Sequence, residues 1–289
     1  MLTPLRYPGG KAKALKKILP HIPSGYKEFR DVFVGGGSVF LTAKLEINPK
    51  AKYVINDINK ELMAFWRTLR DNPKTLIDEI YLCKNSFNNG KNLYRHLKFL
   101  KTQNELEAAA RFFILNRITF SGLVDSGGYS ELSYQNRFTD ASIEKLSKIS
   151  RLLDDVEMRC DSYEKLLFKR GEDVFIYLDP PYFTAKNSKL YGTNGNYHKS
   201  FDHDRFINNI KRCRHDWLIT YDDNPRNRVF QSFSIVENWE HQYAMNNFVN
   251  GKAKKGKEIL ISKKNMSLNK FNLYKSCFFW YLYILFLIF

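Results

Sequence analysis

Three consecutive glycines, Gly35-Gly36-Gly37, follow an apolar strand pattern at 29–34 and open a helix pattern at 38–45; a second strand pattern, Tyr53-Val54-Ile55, then ends at Asn56-Asp57. No other feature of the chain restricts its fold so strongly. Strands that alternate with helices pair into a largely parallel sheet, so this stretch reads as α/β. The pattern resumes late in the chain, with strands expected at 156–160, 174–178, 217–221, 233–239 and 259–262 and a helix at 202–214. No long helix separates the last two strands, so they are expected to pair antiparallel. Upstream, Gly9-Gly10 precedes a basic helix pattern at 11–19.

Between these stretches the periodicity changes. Helix patterns run at 60–70, 73–84, 105–117 and 141–153, and in the last of them Ile143, Leu146, Ile149 and Leu153 recur at helical spacing. Segments 85–92 and 121–139 are polar and read as loops. The expected organisation is an α/β domain formed by 1–58 and 156–263, a helical domain inserted at 59–155, and a tail at 264–289.

The chain has 46 Lys+Arg against 30 Asp+Glu, a formal charge of +16, which favours a polyanionic partner. Its cysteines, Cys83, Cys160, Cys213 and Cys277, form no Cys-x-x-Cys pair, so neither a disulfide framework nor a metal cluster is expected. No signal peptide is read at the start, and a reducing cytoplasm is the expected compartment. The apolar run from Cys277 to Phe289 covers 13 residues. A spanning helix needs about 20, so no membrane partner is expected and the run reads as an extension past the domain.

The chemistry concentrates at the strand ends. Asp179-Pro180-Pro181-Tyr182 closes the pattern Val174-Phe175-Ile176-Tyr177-Leu178. The prolines stiffen the turn and donate no hydrogen bond. Asp179 and the Pro180 carbonyl can accept the two hydrogens of an exocyclic amino group, and Tyr182 offers a face on which a base can stack. The glycine turn allows close approach of a ligand to the backbone, and the helix that follows favours an anionic group. Asp57, 22 residues after Gly35, suits hydrogen bonding to ribose hydroxyls, or it caps the helix that begins near Ile58. In Tyr7-Pro8-Gly9-Gly10-Lys11 a cation stands beside a second glycine pair.

Together these segments resemble the Dam-like, D12-class (group α) DNA adenine-N6 methyltransferases. The likeness spans roughly residues 5–263. Tyr7-Pro8-Gly9-Gly10-Lys11 is similar to the family's amino-terminal aromatic-x-Gly-Gly-Lys segment. Phe33-Val34-Gly35-Gly36-Gly37-Ser38 is similar to its cofactor loop, although Val32 stands where the family usually has Pro. Asn56-Asp57-Ile58-Asn59 matches its acidic turn, and Asp179-Pro180-Pro181-Tyr182 its catalytic tetrapeptide. Asn116-Arg117 with Phe120-Ser121-Gly122-Leu123 resembles a hinge before the recognition loop, and Tyr197-His198 with Phe201 the stretch after the tetrapeptide.

The resemblance implies a Rossmann-like sheet dependent on S-adenosyl-L-methionine, with an inserted helical target-recognition domain. It implies methyl transfer to N6 of an adenine flipped out of duplex DNA, in restriction-modification or DNA marking, with or without a separate endonuclease. Asp179, Pro180, Pro181 and Tyr182 would be catalytic. Tyr7, Lys11, Asp31, Phe33, Gly35, Gly37, Asp57, Asp161 and Asp179 would form the cofactor pocket, with Asp31 toward the methionine ammonium and Asp161 near the adenine ring. No metal is required.

DNA contacts are expected from Asn116 and Arg117, from Ser121, Asp125, Tyr129 and Arg137 with Ser126, Ser130, Gln135 and Asn136 in the polar loop, and from basic residues. The last group comprises Arg95, Lys98 and Lys101 together with Lys252, Lys254, Lys255 and Lys257. Members that read GATC carry an Arg shortly after the Gly-Leu pair, where this chain has Val124-Asp125, so the target is left open. Rival readings are an RNA adenine or cytosine-N4 methyltransferase, a silent binding module, and a nicotinamide dehydrogenase, which offers no reason for Asp-Pro-Pro-Tyr.

Overall fold

The computed structural model describes residues 3–7, 9–183, 201–241, 248–249, 252–253 and 256–264. Tyr197, His198, Lys254, Lys255 and the apolar run 277–289 lie outside them. A seven-stranded sheet organises the chain. Its strands are β1 (Glu28–Asp31), β2 (Lys52–Asn56), β3 (Glu157–Arg159), β4 (Val174–Leu178), β5 (Asp216–Asp222), β6 (Ser234–His241) and β9 (Gly256–Lys263), in the order β3-β2-β1-β4-β5-β9-β6. The first five strands in chain order run parallel, and β9 lies antiparallel to both β5 and β6. The antiparallel pairing expected of the last two strands is therefore present. The β7 (Phe248–Val249) and β8 (Lys252–Ala253) hairpin between them has no counterpart in the sequence reading.

Because the central strands are buried on both faces, they read as continuous apolar runs, and β4 is buried at all five positions. Strand pairing in the first pattern stops at Asp31 rather than at residue 34. The chain continues alongside its neighbours through two further bonds, in which Val32 N–H donates to Tyr177 O (3.2 Å) and Val34 N–H to Asn56 O (2.9 Å). The basic pattern at 11–19 is not one helix. It breaks into a 3₁₀ turn at Lys11–Lys13, the single turn α1 (Leu15–Ile18) and a second 3₁₀ turn at Leu19–His21, where Pro20 prevents continuation. Next in chain order, α2 (Ser38–Glu46) joins β1 to β2.

The middle of the chain forms α3 (Lys60–Asp71), α4 (Pro73–Asn85), α5 (Gly90–Phe99), α6 (Glu105–Ile118), α7 (Glu131–Arg137) and α8 (Asp140–Ser150). Two helix starts lie inside segments read as loops. Asn89 caps α5 by accepting from Asn92 N–H (2.9 Å), and Ser130 caps α7 by accepting from Ser133 N–H (3.2 Å). These helices do not enclose a core of their own. Phe65, Phe112, Phe113 and Leu146 belong to the same buried cluster as Phe29, Tyr53, Phe175 and Tyr177 on one face of the sheet. A second cluster, with Val54, Ile176, Ile219 and Tyr221, covers the other face beneath α9 (Tyr163–Phe168) and α10 (His203–Arg212).

Candidate active site

Parallel strands bring their carboxyl ends to one edge of the sheet, and the expected cofactor residues converge there. Asp31, the last residue of β1, is 1% exposed and its Oδ1 has no hydrogen-bond partner among the described residues. Burial raises its pKa well above the usual carboxylate value, and Asp179 and Asp57 add to the rise, against the backbone N–H groups of Phe33 and Phe40. A buried carboxylate oxygen without a donor is a costly feature that a cationic ligand would relieve.

The glycine turn is built for close contact. Gly35 and Gly37 have φ of 44° and 71°, in the region that glycine tolerates best. A Cβ on Gly35 would lie 2.8 Å from the Tyr7 ring, so Tyr7 packs directly on the loop. Trp66 from α3 donates its indole N–H to Gly35 O (3.2 Å). Asp57, just past β2, accepts from Gly35 N–H (3.2 Å) and Asn59 N–H (3.0 Å), which ties the second strand end to the loop. Burial pushes its pKa up to about 6, against those bonds. It does not cap the following helix. Asn59 does, accepting from Glu61 N–H (3.1 Å) and Leu62 N–H (3.2 Å).

Asp161 sits beyond β3, its backbone held by the Asn56 side chain, which accepts from Asp161 N–H (2.9 Å) and donates to Asp161 O (3.0 Å). Its carboxylate pairs with Lys165 at 2.6 Å. The Phe33 ring lies 5.8 Å from Tyr163 and meets Phe201 edge-on at 6.0 Å.

The tetrapeptide leaves the central strand β4. Lys11 is 3% exposed and donates to Asp179 Oδ2 (2.7 Å) and Gly9 O (2.8 Å), its ammonium standing 5.0 Å from the Tyr182 ring centre. Thr220 on β5 donates to Asp179 Oδ1 (2.7 Å). Phe183 N–H donates to Asp222 Oδ1 (3.2 Å), which anchors the chain just after the turn. The sequence reading missed Thr220 and Asp222. Their signal was polar residues within and just after an apolar strand pattern, Trp217-Leu218-Ile219-Thr220-Tyr221-Asp222.

The residues expected at DNA are less uniform. Asn116 is fully buried. Its side chain accepts from Arg6 N–H (2.9 Å) and donates to Arg6 O (3.1 Å) and Gly122 O (3.0 Å), so it fixes the amino-terminal segment against the turn at 120–122 and presents nothing at a surface. Arg117 is 9% exposed and donates to Pro4 O. Lys98 also turns inward and donates to the Val124 and Asp125 carbonyls. Ser121 takes a left-handed φ of 58°, Asp125 is half-buried, and Tyr129 donates to Glu131 (2.6 Å). Arg137, Gln135, Asn136, Arg95 and Lys101 are exposed. Of the basic group near the carboxyl end, Lys252 falls in β8 and Lys257 in β9.

An acid with an orphaned oxygen at the first strand end, a desolvated acid at the second and a braced carboxylate just past the fourth suit a nucleoside cofactor bearing an ammonium and an acceptor amine beside it. The protein is, by class, an S-adenosylmethionine-dependent methyltransferase. The profile of the D12 class N6 adenine-specific DNA methyltransferases matches residues 7–245, and the chain belongs to that family. It is 30% identical over 203 residues to the type II methyltransferase M1.LlaDCHI of Lactococcus lactis, covering 64% of this chain and 67% of the relative. It is also 30% identical over 200 residues to M.MjaIII of Methanocaldococcus jannaschii, covering 62% and 68%. With a DNA adenine methylase of Vibrio cholerae it shares 28% identity over 206 residues, covering 66% and 70%. The reaction is methyl transfer to N6 of adenine in DNA, and S-adenosylmethionine is the cofactor. The orphaned Asp31 oxygen and the glycine loop fit that cofactor. No helix of the described residues is long and apolar enough to cross a membrane.

Proposed function

We propose that the sheet edge from Asp31 to Asp179 holds the cofactor and that the tetrapeptide turn holds the target adenine. Asp31 takes the ammonium of the cofactor, Asp57 its ribose hydroxyls, and the loop at Phe33, Gly35 and Gly37 its backbone-facing side, closed by Tyr7. Asp161 lies toward the adenine ring. Bound S-adenosylmethionine supplies an electrophilic methyl group on a sulfonium. The target base leaves the duplex stack and its ring rests on Tyr182. Asp179 and the Pro180 carbonyl accept its two amino hydrogens, which turns the nitrogen lone pair outward. As the nitrogen gains positive charge, the Asp179 carboxylate stabilises it, and Pro181 keeps the turn rigid. Lys11 yields its contact with Asp179 when the base arrives. The observation that carries this reading is the half-buried Asp179, braced by Lys11 and Thr220, near Asp31 with its orphaned Oδ1.

The helices at 59–155 act as the target-recognition region, with Arg137, Gln135 and Asn136 of α7 reaching the DNA and Ser121, Asp125 and Tyr129 shaping the loop that carries it. Arg117, with Asn116, acts from behind this surface, and the basic residues Lys252, Lys254 and Lys255 add phosphate contacts. The type II designation of the Lactococcus and Methanocaldococcus relatives supports a role in restriction-modification; a cognate endonuclease would act separately, and the cytoplasm is the proposed compartment. Incubation with isotope-labelled S-adenosylmethionine and mixed-sequence duplex DNA, followed by nucleoside mass analysis, should yield N6-methyladenine. Asp179→Ala should abolish it while the fold persists, and Tyr182→Phe should retain much of it because stacking needs the ring alone. N4-methylcytosine instead, or no labelled base while S-adenosylmethionine still binds, would refute the assignment.

A further inference from the structure

We infer that Thr220, backed by Tyr177, is a positioning residue that fixes the rotation of the Asp179 carboxylate and thereby selects Oδ2 as the oxygen that meets the target amino group. The inference rests on the proposal that Asp179 accepts an amino hydrogen.

Three side chains form a chain across two neighbouring strands. Tyr177 OH lies 2.9 Å from Thr220 Oγ1, and Thr220 Oγ1 lies 2.7 Å from Asp179 Oδ1. The sheet register produces this arrangement. Tyr177 pairs with Leu218 in the parallel β4–β5 ladder, so Tyr177, and Asp179 just past the end of β4, share a face with Leu218 and Thr220 of β5. Tyr177 is 2% exposed and Thr220 fully buried, so neither hydroxyl has water as an alternative partner.

Burial also fixes the direction of the bonds. An ionised carboxylate only accepts, so the Thr220 hydrogen goes to Asp179 Oδ1. The Thr220 oxygen must then accept from Tyr177. Burial supports this by raising the pKa of that phenol well above its usual value, with the Asp179 charge contributing, so Tyr177 keeps its proton. Tyr182 OH offers Oδ1 a second, longer contact at 3.4 Å. Oδ1 is therefore already engaged by groups belonging to the site. Among the described residues Oδ2 pairs with the Lys11 ammonium alone, which is carried on a separate, short 3₁₀ turn. A carboxylate rotated by even a modest angle would present the wrong lone pair, and misplacement of a reacting group is expensive in rate.

Thr220→Val keeps the shape and removes the donor. Single-turnover methylation of duplex DNA should slow by about 10- to 100-fold, the effect of one lost hydrogen bond to a charged group. Dissociation constants for S-adenosylmethionine and DNA should stay within about twofold of the parent protein. Thr220→Ser should restore most of the rate, and Tyr177→Phe should give a smaller loss than Thr220→Val. A parent-like rate in Thr220→Val overturns the inference. So does a loss matched by weakened cofactor binding and lowered melting temperature, or a Thr220→Ser variant as slow as Thr220→Val. Asp179→Ala, run in parallel, separates the two claims. An active Asp179→Ala removes the underlying reading, whereas an inactive Asp179→Ala beside a parent-like Thr220→Val removes only the role of Thr220.

Discussion

Asp57 accepts two backbone N–H groups and still titrates near pH 6, because desolvation outweighs those bonds. The direction of its effect follows from that shift. An acid whose folded pKa lies above its unfolded value of 3.8 lowers stability at neutral pH. That loss is relieved as pH falls from about 6 toward 4. Cofactor binding has the opposite preference, since the ionised carboxylate is the better acceptor for ribose hydroxyls. Affinity for S-adenosylmethionine should therefore weaken below about pH 6, by up to roughly tenfold per pH unit. Titration calorimetry from pH 5 to 8 should show this inflection, and Asp57→Asn should lose it. An affinity flat across that range would contradict the ribose role. Asp31 adds a slope of the same sign. Its raised pKa means that binding an ammonium draws the carboxyl into its charged form, which higher pH favours.

The element that matters most is the β1–loop–α2 unit. Gly37 caps α2 from a left-handed φ of 71°, and a Cβ there would stand 2.6 Å from the Phe40 ring and 2.8 Å from the Trp66 ring. Backbone strain and overpacking act together at that position. Gly37→Ala should destabilise the protein by about 2–4 kcal/mol and weaken cofactor binding further, measurable by denaturant unfolding and calorimetry. A variant as stable as the parent would mean that the loop relaxes freely. The helical elements carry a different lesson. Most were legible because long helical segments with side-chain caps announce themselves, as in the amphipathic α3 with Asn59 and the largely buried α6 with Asn104, which accepts from Glu107 N–H. The short α7 was not legible. Seven mostly polar residues give no apolar period, and the helix exists because Ser130 caps it and Phe138 and Ser133 are buried against its neighbours.

At the scale of the molecule, the excess of 16 positive charges sets how the protein meets DNA. Binding to duplex DNA should fall linearly on a log–log plot against salt, with a slope of about −0.9 per phosphate contacted. Arg137→Ala, at an exposed position on α7, should reduce that slope by about one while leaving cofactor affinity unchanged. A filter-binding or anisotropy series over salt measures it, and an unchanged slope would place Arg137 away from the backbone contacts. By itself the sequence determined the parallel α/β sheet, the glycine loop, the acids at the strand ends and the tetrapeptide, because each depends on residue type at close spacing along the chain. Only the tertiary structure decided that the helices share one core with the sheet. It alone turned Asn116 and Lys98 inward, left the Oδ1 of Asp31 without a donor, and set Thr220 and Lys11 on opposite oxygens of Asp179. Those outcomes depend on partners distant in the chain, Lys11 and Thr220 being 168 and 41 residues from Asp179. Burial and hydrogen bonding at that range are settled by packing, and no local pattern encodes them.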